Sequence, residues 1–233
     1  RTSRMSLQEH RGQDTLDVID EKVMQGEKFF ERHGKKIMIA VGAVVLIALA
    51  IFAYIKFIKE PNNAKASSQM FVAEENFIMG QDSLALKGVT ANPGFEGIAK
   101  NFSGTDAANL AHAYAGICLY DMGRYQEALG ELQKFSSDEK LVAPSIQRMI
   151  GDCYVQLGKL EDALKSYESA AKLADSDAIS PSCLIKAGHV YEKLGKYDQA
   201  VAAYQQIKDK YYTSPEAESV EADLIRARAA GGK

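Results

Sequence analysis

Three cysteines, four histidines and eleven tyrosines are the residues of this 233-residue chain whose chemistry could be put to use. His10, His33, His112 and His189 do not fall at the short intervals that place two imidazoles on one metal ion. Neither a phosphate-cradling glycine loop nor a nucleophile elbow is present, so no catalytic residue, metal or cofactor is expected and the chain does not read as an enzyme. Cys118 and Cys153 sit 35 residues apart in equivalent surroundings. Equivalent positions on stacked helices are separated by roughly 8–10 Å, beyond the ordinary reach of a disulfide, and Cys183 has no evident partner. Three buried free thiols are expected, with a redox role as the alternative that an odd count leaves open. The tyrosines read as core packing. A formal net charge of −3 supplies no basic field, which argues against nucleic acid as a partner.

Two kinds of element must position these residues. From Ile37 to Ile55 no charge occurs and every residue but Gly42 is apolar. As a helix these residues extend about 28 Å, close to the hydrocarbon thickness of a bilayer. Lys35 and Lys36 stop the run on one side and Lys56 and Lys59 on the other, where basic side chains can snorkel to headgroups. The reading is a single transmembrane helix over 37–58, with a cleavable signal as the rival. Against that rival, the run exceeds the usual hydrophobic region of a signal, and 36 residues precede it. Lys22, Lys28, Arg32, Lys35 and Lys36 before the helix outnumber Lys56, Lys59 and Lys65 after it, which predicts a cytoplasmic tail over 1–36 and a translocated C-terminal domain, with a cytoplasmic C-terminal domain as the rival topology. Within the tail, Leu16, Ile19, Val23 and Phe30 trace an amphipathic stripe. A linker is expected over 59–66.

Beyond it the chain repeats. Gly80 and Ala85, Gly123 and Ala128, Gly158 and Ala163, and Gly195 and Ala200 share one spacing, at steps of 43, 35 and 37 residues. Gly116, Gly151 and Gly188 each precede a turn glycine by seven, and Leu132, Tyr167 and Tyr204 follow each alanine by four. A small residue where two helices cross lets them approach, and the glycine ends the first helix in a positive-φ conformation. Pro144, Pro181 and Pro215 recur where each new first helix would begin.

These residues resemble the tetratricopeptide repeat, a helix-turn-helix unit of about 34 residues. The resemblance implies an all-α solenoid over 67–233: a degenerate first unit (67–104) with an insertion around Asn92-Pro93-Gly94, repeats at 109–143, 144–180 and 181–214, and a capping helix at 215–229. It also implies a groove formed by the first helices. The family's groove positions fall on Ala113, Ile117 and Tyr120, on Arg148, Asp152 and Val155, and on Ile185, His189 and Glu192. The Asn and Lys of carboxylate-clamp cochaperones are missing there. The groove therefore suits a partner surface or an unfolded segment; the alternative is a merely solvated face, with the interface on the convex side or on the N-terminal unit.

A short tail, one membrane helix and a translocated repeat domain resemble the YfgM family of bacterial inner-membrane proteins. Gly94-Phe95-Glu96-Gly97-Ile98, Asn109-Leu110-Ala111, Ala115-Gly116-Ile117 and Lys134-Phe135-Ser136-Ser137-Asp138 are similar to the Bacteroidetes version. That resemblance implies an ancillary subunit of the SecYEG translocon, with a PpiD-like membrane-anchored periplasmic chaperone, and translocating polypeptides, as partners. A scaffold for cell-envelope assembly or division is the alternative.

Overall fold

The computed structural model describes residues 33–232. The chain divides into two units at Ile58 and Lys59. The first contributes helix α1 (33–54), whose apolar side chains are open along their whole length; Met38, Leu46, Ile47 and Phe52 are all more than half exposed. An exposed apolar surface of this kind marks a membrane or protein contact, and the helical stretch His33–Ile78 is long and apolar enough to cross a membrane. The amphipathic stripe at Leu16, Ile19, Val23 and Phe30 lies outside the described residues.

The expected linker at 59–66 is helical instead. A π-helical turn, Ile55–Lys59, leads directly into α2 (Glu60–Ile78), with Pro61 in the first turn of α2. A proline lacks the N–H that a helix interior needs, and its ring collides with the carbonyl four residues back. The widened π turn lets the ladder pass that point without breaking.

The second unit is a stack of helix pairs. α2 pairs with the short helices α3 (Asp82–Lys87) and α4 (Gly94–Asn101). Then come α5 (Asp106–Asp121) with α6 (Tyr125–Leu132), α7 (Val142–Gln156) with α8 (Leu160–Ala174), and α9 (Ser180–Lys193) with α10 (Tyr197–Lys210). α11 (Pro215–Ser219) and α12 (Glu221–Ala230) close the chain; the single capping helix expected at 215–229 is divided at Val220.

Each pair turns the same way. Gly80, Gly123, Gly158 and Gly195 have φ of 71°, 75°, 71° and 70°. The next residue's N–H reaches back to the helix it has left: Gln81 to the Asn76 carbonyl, Arg124 to Leu119, Lys159 to Tyr154 and Lys196 to Tyr191, at 2.8–2.9 Å. This closure satisfies carbonyls that a helix end otherwise orphans, and it requires the left-handed conformation that glycine supplies without strain. Five residues on, Ala85, Ala128, Ala163 and Ala200 are fully buried.

The helical glycines set the closeness of each pair. A Cβ on Gly116 would lie 2.5 Å from Leu132, one on Gly151 2.5 Å from Tyr167 and one on Gly188 2.2 Å from Tyr204. The large residue of the second helix thus lies flat on bare backbone of the first. The core runs as stacked clusters, Tyr154 bridging the first to the middle one and Tyr191 the middle to the last. In the first unit the turn between α3 and α4 is held by paired Val89 and Asn92 backbones at 2.7 and 2.9 Å. The buried Asn92 side chain donates to the Gln69 carbonyl at 2.9 Å and accepts from the Gly94 N–H at 3.1 Å.

Candidate partner-binding groove

The glycine–tyrosine contact does more than pack. Because the Tyr167 ring lies on Gly151, its hydroxyl arrives beside the next residue and donates to Asp152 Oδ1 at 2.6 Å. One repeat later, Tyr204 on Gly188 donates to Glu192 Oε1 at 2.6 Å. Burial first, and the acceptor carboxylate second, hold both phenols above their ordinary pKa, so they remain donors.

Asp152 is a hub. Lys186 Nζ of α9 lies 2.9 Å from it and Arg148, one turn earlier on α7, 3.8 Å. A second cluster follows along the stack: Arg226 of α12 grips Glu192 with two bonds of 2.9 and 2.7 Å and also meets Asp223 at 2.6 Å. His189 Nε2 is 3.3 Å from Asp223. The Arg226 bonds hold the Glu192 carboxyl below the usual carboxylate range. These are charge-assisted bonds on partly shielded groups, and they fix side chains that would otherwise sample many rotamers.

Of the residues carried over from the repeat pattern, Tyr120, Asp152, Val155 and His189 line one open recess of about 210 Å³, together with Gln156, Tyr167, Lys186 and Val190. Arg148 joins through Asp152. Ile117 and Ile185 are half-buried against the core, so each offers only an edge. Ala113 is buried within the core of the first repeats and presents nothing to a partner. Glu192 is already engaged by Arg226 and Tyr204. Lys186, Asp223, Arg226 and the two phenols were not foreseen. For the phenols a signal exists: each tyrosine follows its glycine by sixteen residues, and that glycine precedes the carboxylate partner by one residue at Asp152 and by four at Glu192.

The Cys118 thiol is pushed up to about 12, and those of Cys153 and Cys183 to about 11, in each case by burial first. All three are free, fully buried and far from thiolate chemistry at neutral pH. Among the described residues no three His, Cys, Asp or Glu side chains are grouped to hold a metal ion. A larger cleft, about 680 Å³, lies between α8 and α10 over a floor of Ala171, Leu184 and Ala187.

Residues 142–211 match the tetratricopeptide repeat family. This segment is a tetratricopeptide-repeat array. It comprises α7 to α10; α5 and α6 lie outside the match, and α6 has only eight residues where α8 has 15. No curated protein matches the chain. Among solved structures, the MamA protein is similar over 72% of this chain and 82% of its own, at 16% identity and a TM-score of 0.57. A Podosopora anserina kinesin light chain with nearly identical TPR-like repeats is similar over 73% and 88%, at 16% identity and a TM-score of 0.56. A tetratricopeptide repeat protein from Parabacteroides merdae is similar over 70% and 60%, at 18% identity and a TM-score of 0.58. These likenesses show the fold of the repeat unit, an all-α tetratricopeptide-like solenoid; the long apolar helix precedes it in the sequence. Such repeats are scaffolds for protein–protein contact.

Proposed function

We propose that this chain is a non-enzymatic, membrane-anchored scaffold that holds partner proteins beside the Sec translocon. In this reading α1 spans a bacterial inner membrane with the N-terminus in the cytoplasm, and the repeat array stands in the periplasm. The partners are SecYEG, a PpiD-like membrane-anchored chaperone and polypeptides leaving the channel.

The observation that carries the reading is the recess bounded by Tyr120, Asp152, Val155 and His189, built on repeats in a chain with a membrane-length apolar helix. Tyr120 and Val155 supply apolar surface, while the acids beside them already have partners in Lys186, Arg148 and Arg226. A partner therefore meets a preorganised surface and loses little side-chain entropy in binding it. The anchor confines that surface to the membrane plane and raises its effective concentration for neighbours in the same membrane.

Purification of the chain from native membranes in mild detergent tests this. Co-recovery of translocon or periplasmic chaperone subunits supports the proposal; recovery with neither contradicts it.

A further inference from the structure

We propose that α2 carries a second docking surface, separate from the groove, that receives a basic amphipathic segment of a partner protein. The inward face of α2 is set by Ala66, Met70 and Ala73, all buried, with Phe77 continuing the row. On the opposite face Phe71, Val72, Ile78 and Met79 are 68%, 38%, 83% and 61% exposed. A stack of repeats ordinarily ends on a polar outer face, since nothing follows to cover it. The other end obeys that rule better: the exposed positions of α12 carry Glu221, Arg226 and Arg228, and Ile225 is the one large apolar side chain exposed there.

What covers the α2 face is decided by Glu75. It stands three residues from Val72 and Ile78 and four from Phe71 and Met79, so all four apolar side chains are its helical neighbours. Glu75 is exposed, and among the described residues no ion pair reaches its carboxylate. The patch is thus an apolar ring around an unpaired negative charge, with Glu74 alongside. A second copy of this chain is a poor occupant, because a two-fold contact centred on the patch sets Glu75 against its own equivalent. An anionic lipid surface is repelled by the same charge. A partner helix with a Lys or Arg among apolar residues satisfies both parts of the patch, burying the ring while pairing the carboxylate.

The test uses the full chain in nanodiscs of zwitterionic lipid, which do not themselves attract charged peptides. Two fluorescent 18-residue amphipathic helices serve as probes, identical except that the residues flanking the leucine stripe are Lys in one and Glu in the other. Anisotropy is expected to show the Lys peptide binding at least tenfold more tightly than the Glu peptide. Glu75→Lys is expected to invert that order, and Phe71→Ser with Ile78→Ser to weaken the Lys peptide at least tenfold. Asp152→Asn, in the groove, is expected to leave both unchanged, so this surface and the groove fail separately. Equal binding of the two peptides, an order unaffected by Glu75→Lys, or efficient disulfide cross-linking between two chains carrying Ile78→Cys overturns the proposal. Phe71, Glu75 and Ile78 are on the solvent face of α2, and circular dichroism confirms that each variant keeps its helices.

Discussion

Gly188→Ala adds a single methyl group to the interior of α9, and its effect follows from one contact. The new Cβ would lie 2.2, 2.5 and 2.9 Å from Cε1, Cζ and Cδ1 of Tyr204, where ordinary contact begins near 3.4 Å. Tyr204 is fully buried and its hydroxyl is tied to Glu192, so the ring cannot swing aside without breaking that bond. Overpacking of this kind costs about 1–3 kcal/mol, and the immobile ring places this site at the upper end. Replacing glycine by alanine inside a helix returns about 1 kcal/mol. The net loss is about 2 kcal/mol, which for a unit of this size lowers Tm by about 4–8 °C. The assay is thermal unfolding followed by circular dichroism, with Gly130→Ala as control. A Cβ at Gly130 meets nothing within 4 Å, so that variant keeps only the helix gain and Tm rises by about 2–4 °C. In a Tyr204→Ala background the collision disappears and Gly188→Ala becomes neutral or stabilising. A rise in Tm from Gly188→Ala alone, or the same loss with and without the Tyr204 ring, rules out the Cβ–ring collision as the cause.

Other outcomes follow from the same geometry. Cys118, Cys153 and Cys183 resist iodoacetamide at pH 8 in the folded protein and react together in urea, as intact-mass measurement will show; rapid labelling of one thiol in the folded state contradicts their burial. The Glu192 carboxyl titrates below its unfolded value of 4.5, so its contribution to stability is full above that pH and lost as pH falls through the lower folded value. The Tm difference between wild type and Glu192→Gln is therefore constant from pH 6 to 8 and shrinks below about 4.5; a difference that grows on acidification reverses the sign. Paired Leu46→Arg and Ile47→Arg substitutions place two charges in the apolar helix at about 2.5–3.5 kcal/mol each, and release the protein into the soluble fraction on alkaline extraction.

Much of the fold was legible because it depends on local spacing. The four turn glycines and the alanines five residues on announce the helix pairs, and each does its work within one turn of its own position. The helical course of residues 59–66 was not legible, since Pro61 reads as a breaker unless a π turn precedes it. Nor was the shortness of α6 apparent, because Lys134 to Asp138 contains no residue that forbids a helix. In the groove, the first-helix positions could be named from the repeat, but their ionic partners could not. Glu192 and Arg226 are 34 residues apart, and nothing local to either marks the other. Tyr167 and Tyr204 were readable as packing, and their hydroxyl bonds emerge only once each ring lies on its glycine.

The proposed scaffold role requires partner proteins to be held at the membrane by the recess beside Tyr120. A photo-reactive amino acid placed at Tyr120 in the full chain in living cells, with a matching probe at Gln199 in the cleft between α8 and α10, tests it directly. Discrete adducts are expected from position 120 that contain a translocon subunit, a periplasmic chaperone or a secretory polypeptide, and that diminish with Asp152→Asn. Adducts with those partners from Gln199 and none from position 120 contradict it.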